Sequence, residues 1–489
     1  MRRDRIVTFA FIILLTVTII GARTAYLLLD DSSNVASSVS NQIDRGSTLF
    51  YPRGRIMDRN GIVLSPKVNK KEGEVPIKEY VADVGEDVVG KVSYNPEDTT
   101  AEGIKGESGL QALYDSALNG GSPIKISTYR DGRNEEYAPI FVQVYGDHVN
   151  EGTDLVTTLN YHIQKIVEDE LDFTYNKEKY EGIAVVVSDV HTGEVLSMAS
   201  VGDLTNKAVL NYQPGSVFKI LVFAQALEKG IIDLNTIFEC KGTIEIDGKI
   251  KNCNKSEGHG KINTVEAFAE SCNIAAYETG MLLNQFSEKD TLLYNDVLEL
   301  AKEFGFQDKN VEKTKEFPLS YSYSAPIIPS KISVPMDVFN MSLGQGSVMA
   351  SPLMMTKIVQ TIGNDGVLIE PTIALKEVSP LGQEKEMKKV EKQIFSKEVN
   401  DTLKILLTEV GKTGTGKNNT LKERGGLAGK SGTAQHIGER EAHSWFTGYF
   451  PANNPKYAMT IFVEEGGSSS TTALPIFDSV ANKILDLYE

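Results

Sequence analysis

The sequence lacks three features that would each point to a class of protein. It has no internal repeat and no low-complexity block, and its charged (24%) and hydrophobic (41%) fractions are those of a globular chain, which excludes a disordered protein. It has no long basic run, and its net charge is -16, so we expect no nucleic acid as a partner. It has only three cysteines, an odd number that leaves one thiol over from any disulfide pair.

One long apolar run lies near the amino-terminal end. Residues 6–29 contain a single charge, Arg23, and follow three arginines. About 20 apolar residues are enough to cross the hydrocarbon of a bilayer, and basic residues stay on its cytoplasmic side. We therefore predict a cytoplasmic tail at 1–5, an uncleaved single-pass anchor at 6–29 in the cell membrane, and an extracytoplasmic remainder. The alternative is a cleaved signal peptide, whose apolar region would be shorter and followed by small residues, where this chain has YLLLDD.

The chain of 489 residues exceeds one ordinary domain, so two domains of unequal size are expected. Residues 30–150 mix short alternating segments with turn residues and predict a small, mostly β module. Asn60-Gly61 between two apolar runs predicts a hairpin in its first part. The pattern changes near Gly152, so we assign residues 151–489 to a second domain.

The second domain has β-like runs near both of its ends and helical patterns between them. The sequence predicts a hairpin at 181–200 and three further strands in 425–435, 443–451 and 457–465, with a last helix after them. This order predicts an α+β fold in which one central antiparallel sheet is covered by helices.

The stretch 211–230, NYQPGSVFKILVFAQALEKG, predicts a turn that leads into one helix. Pro214 and Gly215 break the chain, and an apolar run of good helix formers follows. Ser216 then lies in the first helical turn, on the same face as Lys219 and beside the positive end of the helix dipole. A lysine desolvated among apolar neighbours loses its proton more easily, so it can act as a base toward the serine near neutral pH. A lone S-x-x-K is more often an ordinary serine and lysine on a helix surface, so a catalytic role for this pair depends on further motifs elsewhere in the sequence.

Two further motifs follow in order. Ser271-Cys272-Asn273 is S-x-N, and Lys430-Ser431-Gly432-Thr433 is K-S/T-G-T. Each motif alone is weak, but the three in this order resemble the set of penicillin-binding proteins and β-lactamases.

Other stretches narrow the resemblance to class B penicillin-binding proteins, which are monofunctional D,D-transpeptidases. PRGRIMDRNG (52–61) resembles the start of their N-terminal module, and GQGSVMASPL (344–353) and HSWFTGYFP (443–451) resemble parts of their transpeptidase domain. The resemblance covers essentially all of the chain after the anchor. It implies a β-lactamase-like transpeptidase domain at 151–489 and a pedestal or dimerisation-like module at 30–150.

The resemblance also implies roles for the motif residues. Ser216 would attack the penultimate D-Ala carbonyl of a peptidoglycan stem peptide, and Lys219 would take its proton. Ser271 would relay a proton to the leaving amine, Asn273 would bind the peptide chain of the substrate, and Lys430 would add positive potential.

The remaining motif residues would bind substrate. Ser431 and Thr433 would bind the substrate carboxylate with their hydroxyls, and the small Gly432 would let the strand approach the ligand. The backbone N–H groups of Ser216 and Thr433 would form an oxyanion hole.

The resemblance implies β-lactams as inhibitors, no cofactor for catalysis, and a glycan polymerase of the membrane as partner. The alternatives are a β-lactamase or D,D-carboxypeptidase, which hydrolyses the same acyl-enzyme, and a β-lactam sensor. A sensor would need cytoplasmic machinery, and only residues 1–5 are predicted to lie inside. The PRGRIMDRNG segment counts against the hydrolases.

Residues 411–417, GKTGTGK, match the patterns of two other motifs, a phosphate-binding loop and a K-T-G strand. They fit G-x-x-x-x-G-K, but a phosphate-binding loop follows a strand and carries Ser or Thr after its lysine, whereas a helix precedes this stretch and Asn418 follows it. They also contain K-T-G, but their glycines favour a loop over a strand. We therefore expect a flexible loop.

The cysteines form one more pattern. Cys240, Cys253 and Cys272, with His259 between the last two, are a complete Cys₃His set for tetrahedral Zn²⁺. Their spacing is not that of a compact zinc finger, and in an exported domain a disulfide, or free thiols without a metal, is an equally open interpretation. A metal bound here would be structural, because Cys272 is the middle residue of S-x-N and its side chain should point away from the cleft.

Overall fold

The computed structural model describes residues 2–30, 47–49, 53–65, 84–94, 104–119, 124–127, 141–144, 152–203, 205–286, 292–306, 326–329, 332, 334–434 and 440–488. Its helices are Arg2–Asp30, Glu86–Val89, Gly109–Leu113, Asp115–Leu118, Tyr161–Glu178, Lys219–Glu228, Thr264–Ala269, Asn273–Leu283, Asp296–Glu303, Pro335–Ser342, Pro352–Gly363, Lys397–Lys412 and Ala473–Asp486, with 3₁₀ turns at Lys207–Val209, Gly215–Phe218 and Leu421–Arg424.

The described strands are short in the first third of the chain and longer toward its end. They are Ser47–Leu49, Ile56–Met57, Val63–Ser65, Val92–Tyr94, Ile104–Gly106, Ile124–Ser127, Phe141–Val144, Asp154–Thr157, Gly182–Asp189, Val195–Val201, Ile237–Cys240, Thr243–Ile246, Lys249–Asn252, Gly260–Asn263, Asn284–Phe286, Leu292–Asn295, Val367–Ile369, Ala374–Val378, Glu384–Glu386, Glu391–Gln393, Ala428–Ala434, His443–Phe450 and Tyr457–Glu464.

The central sheet has five antiparallel strands, as the sequence predicts. Its spatial order is Val195–Val201, Gly182–Asp189, Tyr457–Glu464, His443–Phe450 and Ala428–Ala434. The two strands of the predicted hairpin at 181–200 pair with the end of the chain, and the strand that carries the third motif lies at the edge.

Helices cover both faces of the central sheet. On one face, Val185 and Val187 belong to a core with the helices Tyr161–Glu178 and Ala473–Asp486. On the other face, Val186 belongs to a larger core that includes the helix Pro352–Gly363. A strand buried on both faces is apolar at successive positions, which explains the run AVVV in Gly182–Asp189.

A second sheet joins the PRGRIMDRNG segment to the rest of the fold. The predicted hairpin forms from Ile56–Met57 and Val63–Ser65, and its first strand pairs in parallel with Asp154–Thr157. Two side chains add to this join: the Asp58 carboxylate accepts from the backbone N–H of Tyr161 (3.1 Å), and Arg59 pairs with Glu194 (3.0 Å). Much of the module at 30–150 lies outside the described residues, and its boundary at 150 stays a prediction.

The helix Arg2–Asp30 contains the predicted anchor. Its stretch Val7–Tyr26 has a mean hydropathy of 2.0 and none of it is buried in the protein, so it is long and apolar enough to cross a membrane.

Candidate active site

Ser216 lies where the sequence predicts, in a tight turn at the start of a helix. The 3₁₀ turn Gly215–Phe218 runs directly into the helix Lys219–Glu228, and the backbone N–H of Gly215 donates to the carbonyl of Gly344 (2.9 Å). The helix is buried on every side up to Leu227, so its positive end lies inside the protein, close to the Ser216 hydroxyl.

Lys219 connects the first motif to the second. Its side chain is 1% exposed, and its Nζ donates to the carbonyl of Ser271 (2.7 Å), to Asn273 Oδ1 (2.8 Å) and to Ser271 Oγ (3.3 Å). Burial lowers the pKa of Lys219 to about 8, although the sulfur atoms of Cys272 and Cys253 act in the opposite direction. Among the described residues, the hydrogen-bond partners of this Nζ belong to S-x-N and do not include Ser216 Oγ.

Ser271 has a strained backbone at the end of a short helix. Its N–H donates to the carbonyl of Phe268 (3.1 Å). The next N–H, of Cys272, donates to the carbonyl of Ala267 (2.9 Å), and these two bonds form a Schellman motif. The position that Ser271 occupies is left-handed (φ 56°) and usually belongs to glycine, so a serine here indicates that its hydroxyl is needed.

The strand Ala428–Ala434 brings a second buried lysine to the site. Lys430 is fully buried, its Nζ donates to the carbonyl of Ser431 (3.2 Å), and it lies 5.7 Å from the centre of the Phe268 ring. Burial lowers the pKa of Lys430 well below its usual value, and the nearby charge of Lys219 lowers it further. The site therefore holds two lysines that release protons more readily than they do in water.

Gly432 is the point at which this strand meets the nucleophile turn. A Cβ atom here would lie 2.9 Å from the carbonyl oxygen of Pro214 and 3.0 Å from Val217 Cγ1. The small residue, which the resemblance implies lets a ligand approach, also lets the strand reach the turn of Ser216. The next residue, Thr433, has an exposed side chain and lines the cleft.

The loop at 413–418, which we name the 413–418 loop, lies beside this strand. A helix precedes it, Lys397–Lys412, in agreement with the rejection of a phosphate-binding loop. Its backbone is held to the rest of the fold, since the N–H of Thr415 donates to the carbonyl of Ala269 (3.1 Å). The stretch forms a loop and no strand, as the sequence predicts, and the contact with Ala269 is one that the glycine-rich sequence does not reveal.

A cleft of about 580 Å³ joins these elements. Among the sequence-predicted residues, its lining includes Ser216, Ser271, Asn273, Ser431, Thr433 and Cys253. The lining also includes residues that the motifs do not identify, namely Asn252, Asn254, Glu270, Leu343, Gln345, Gly414, Thr415, Lys417, Asn418, Ser468, Ser469 and Ser470. Leu343 and Gln345 adjoin or belong to the GQGSVMASPL stretch, whereas the serines of GGSSS carry no recognisable signal.

The four predicted metal ligands also come together. The ligand atoms of Cys240, Cys253, His259 and Cys272 all lie within 4.8 Å of one another. Cys253 Sγ is 3.7 Å from Cys272 Sγ and 3.7 Å from His259 Nδ1, and His259 Nδ1 is 3.4 Å from Cys240 Sγ. All three cysteines are free, so the alternative of a disulfide is not present in this structure. We name these four residues the Cys₃His cluster.

The amino end of the helix Asn273–Leu283 faces two of these sulfur atoms. The N–H of Asn273 donates to Cys253 Sγ (3.4 Å), and the N–H of Ala275 donates to Cys272 Sγ (3.5 Å). Hydrogen bonding by Cys272 and by backbone N–H groups lowers the pKa of the Cys253 thiol to about 4. The same hydrogen bond and burial raise the pKa of the Cys272 thiol, so without a metal the pair favours one thiolate, which is the form of cysteine that binds metals.

The arrangement as a whole suits acyl transfer. It combines a hydroxyl at a helix amino end, a desolvated lysine that can act as its base, and hydroxyls and amides around one cleft.

Comparison with protein families supports the same interpretation. Residues 183–486 match the family model described as the penicillin-binding protein transpeptidase domain.

Two curated relatives illustrate the match. The chain is 28% identical over 411 residues to stage V sporulation protein D of Bacillus subtilis, which covers 77% of this chain and 60% of that protein. It is 24% identical over 434 residues to the peptidoglycan D,D-transpeptidase MrdA of Salmonella typhimurium, which covers 78% of this chain and 66% of that protein. The chain thus spans about two thirds or less of the length of these relatives.

The fold is shared with solved structures. A chain of a peptidoglycan synthase complex, described as coordinating polymerization and crosslinking, superposes with a TM-score of 0.70 at 20% identity, and the match covers 99% of each chain. At this identity the likeness shows the fold.

Proposed function

This chain belongs to the penicillin-binding protein transpeptidase family, and from that premise we propose that it is a serine D,D-transpeptidase of peptidoglycan. The observation that carries the proposal is the convergence of all three motifs on one cleft, with Lys219 bonded to both functional residues of S-x-N. The relative named as a peptidoglycan D,D-transpeptidase supports the substrate class, a stem peptide that ends in D-Ala-D-Ala.

In the first half of the reaction, Ser216 Oγ attacks the penultimate D-Ala carbonyl while Lys219 takes its proton. The lowered pKa of Lys219 supports this role, because a base near pH 8 is partly deprotonated at neutral pH. The C–N bond then breaks, and the proton taken by Lys219 passes through the Ser271 hydroxyl to the departing D-Ala amine. The backbone N–H groups of Ser216 and Thr433 stabilise the oxyanion, and losing one such donor costs about 3 kcal/mol.

The other site residues bind the substrate. Asn273 binds its peptide chain, Ser431 and Thr433 bind its terminal carboxylate, and Lys430 supplies positive potential.

In the second half, the amine of a neighbouring stem peptide attacks the ester carbonyl and loses a proton to Lys219 through Ser271. The C–O bond breaks as Lys219 returns a proton to Ser216 Oγ, which closes the cross-link.

We propose that the chain is anchored in the cell membrane by a single span at 6–29, with the catalytic domain extracytoplasmic. The apolar stretch Val7–Tyr26 and the arginines before it support this orientation. The module at 30–150 acts as a pedestal, and a membrane glycan polymerase is the partner. The fold shared with a chain of a synthase complex supports that partner.

We also propose that the Cys₃His cluster binds a structural zinc ion. For Zn–S distances of about 2.3 Å and Zn–N distances of about 2.0–2.1 Å, the edges of a tetrahedron are about 3.8 Å between sulfurs and about 3.6 Å between sulfur and nitrogen. Three of the six separations, 3.7, 3.7 and 3.4 Å, fit these values, and all six are at most 4.8 Å. The ion would pin the segment 240–260 to the S-x-N turn and take no part in the chemistry.

Intact-mass spectrometry of the full chain in detergent, before and after a labelled penicillin, tests the activity. We expect one adduct per chain, absent from Ser216→Ala. A long-lived adduct supports a transpeptidase, whereas rapid loss of the adduct supports a β-lactamase or carboxypeptidase. No adduct on the native chain would overturn the proposal.

A further inference from the structure

The 413–418 loop, which lies outside the three motifs, forms part of the catalytic cleft. Gly414, Thr415, Lys417 and Asn418 all line it. The loop therefore holds side chains within reach of a bound substrate.

Backbone contacts hold this loop in place without help from the Thr415 side chain. The Thr415 N–H donates to the carbonyl of Ala269 (3.1 Å), and the buried Asn419 side chain donates to the carbonyls of Gly411 and Gly416 (2.8 Å each). The first bond ties the loop to the helix that ends just before S-x-N, and the other two hold the end of the loop against the helix Lys397–Lys412 and against the loop itself, so the backbone that carries Thr415 is held beside the cleft.

Gly414 explains how closely the loop approaches that helix. A Cβ atom at this position would lie 2.3 Å from the carbonyl oxygen of Ala269, so only glycine fits.

The Thr415 hydroxyl contacts a motif residue. Thr415 Oγ1 lies 2.6 Å from Ser431 Oγ, and the Ser431 side chain is nearly buried (7% exposed). In a pair of hydroxyls one donates and the other accepts, and each retains capacity for a second partner. If Thr415 donates, the Ser431 proton is left to point at an acceptor in the cleft.

We propose that Thr415 is a positioning residue, which holds the Ser431 hydroxyl as a hydrogen-bond donor toward the terminal carboxylate of the substrate. This inference rests on the proposed function and adds a residue that determines specificity for a free carboxylate. A structural role is the competing explanation, but the backbone bonds already hold the loop, and the Thr415 hydroxyl bonds to Ser431 instead of to the loop itself.

The test uses two thioester substrates that differ only in their terminal group, a carboxylate or a neutral carboxamide. Acylation of the full chain in detergent is followed for the native protein and for Thr415→Val and Thr415→Ser. For the carboxylate substrate, we expect Thr415→Val to lower kcat/KM about tenfold, mainly through KM, because a hydrogen bond to a charged group is weakened. For the carboxamide substrate we expect little change. Thr415→Ser keeps the hydroxyl and should restore most of the lost efficiency.

Thr413→Val is the matched control, because it removes a hydroxyl of the same loop that bonds to Glu409 (2.7 Å) and lies outside the cleft lining. It should leave both substrates unaffected. Equal losses with both substrates, or no loss in Thr415→Val, would overturn the positioning role while the proposed function stands. No acylation of the native chain by either substrate, and no adduct with penicillin, would overturn the proposed function and this inference together.

Discussion

The catalytic cleft and the Cys₃His cluster meet in one three-residue segment, and with the proposed zinc bound we expect them to have opposite effects on stability. Ser271 and Asn273 line the cleft, whereas Cys272 between them belongs to the cluster. On the cleft side the fold contains buried lysines with lowered pKa values and a serine in left-handed conformation, which all cost stability. On the cluster side, four ligand atoms would add stability on binding a metal.

The comparison indicates that an active site can contain strained and desolvated groups when a neighbouring metal site would offset their cost in stability. It also implies that activity and stability can be separated by mutation, because the two sets of side chains alternate along the backbone.

The largest expected effect is on activity alone. Ser216→Ala should reduce acylation by a labelled penicillin roughly a thousandfold or more, because it removes the hydroxyl that the turn Gly215–Phe218 presents to the cleft as the nucleophile. The Ser216 side chain has no role in the cluster, so metal content and melting temperature should stay those of the native chain. Substantial acylation of this variant, measured by intact mass, would show that another residue is the nucleophile.

The second effect falls on stability. Cys240→Ser removes a ligand that lies outside the cleft lining, so it should lose the zinc. A metal present at a thousand times its dissociation constant contributes about 4 kcal/mol, and we expect a loss of that order in the free energy of unfolding.

A chelator provides the control for this variant. It should destabilise the native chain by the same amount and leave Cys240→Ser unchanged, and elemental analysis should find one zinc in the native chain only. If the chelator has no effect and no zinc is found, the zinc proposal is wrong.

The third effect is a pH dependence on the cleft side. Because burial lowers the pKa of Lys219 to about 8, the neutral base is lost as the pH falls through that value. The acylation rate, measured by stopped flow with a fluorescent penicillin, should therefore fall about tenfold per pH unit well below pH 8. A rate that is constant between pH 6 and 9 would contradict the role of Lys219 as the base.

The same shift has a consequence for stability. Lys219 has a lower pKa in the folded chain than in the unfolded chain, where the value is near 10.5. Between about pH 8 and 10.5 the unfolded state binds more protons, so this group makes stability rise with pH in that window. Below about pH 8 Lys219 is protonated in both the folded and the unfolded chain, so the full free-energy cost of burying its charge lowers the stability.

The sequence predicts different parts of this molecule with different success. The central sheet was predictable because its strands at 181–200, 443–451 and 457–465 are largely apolar runs separated by turn residues, and the K-S/T-G-T motif marks the strand at 425–435. The helical cover of the sheet was predictable as well, but which helices pack on which face and the pairing of Ile56–Met57 with Asp154–Thr157 were not, because these contacts join distant segments and leave no local pattern.

The same contrast applies to the site. Short motifs identify the residues whose chemistry needs a fixed local spacing, such as Ser216 and Lys219. The motifs do not identify Thr415, because it lies in a glycine-rich loop. Its proposed positioning role depends on two tertiary contacts, with Ala269 and Ser431.

The smallest expected effect is a gain in stability on the cleft side. Ser271 has φ 56°, which glycine adopts without strain, so Ser271→Gly should raise the free energy of unfolding by about 1 kcal/mol in urea titrations. Acylation should fall at the same time, because the relay hydroxyl is lost. Glu270→Gly is the matched control, since Glu270 has φ -81° and glycine there relieves nothing. A loss of stability in Ser271→Gly would mean that the bond from Lys219 to the Ser271 hydroxyl stabilises the fold more than the left-handed backbone strains it, and the cleft would then not be the destabilised side of this segment.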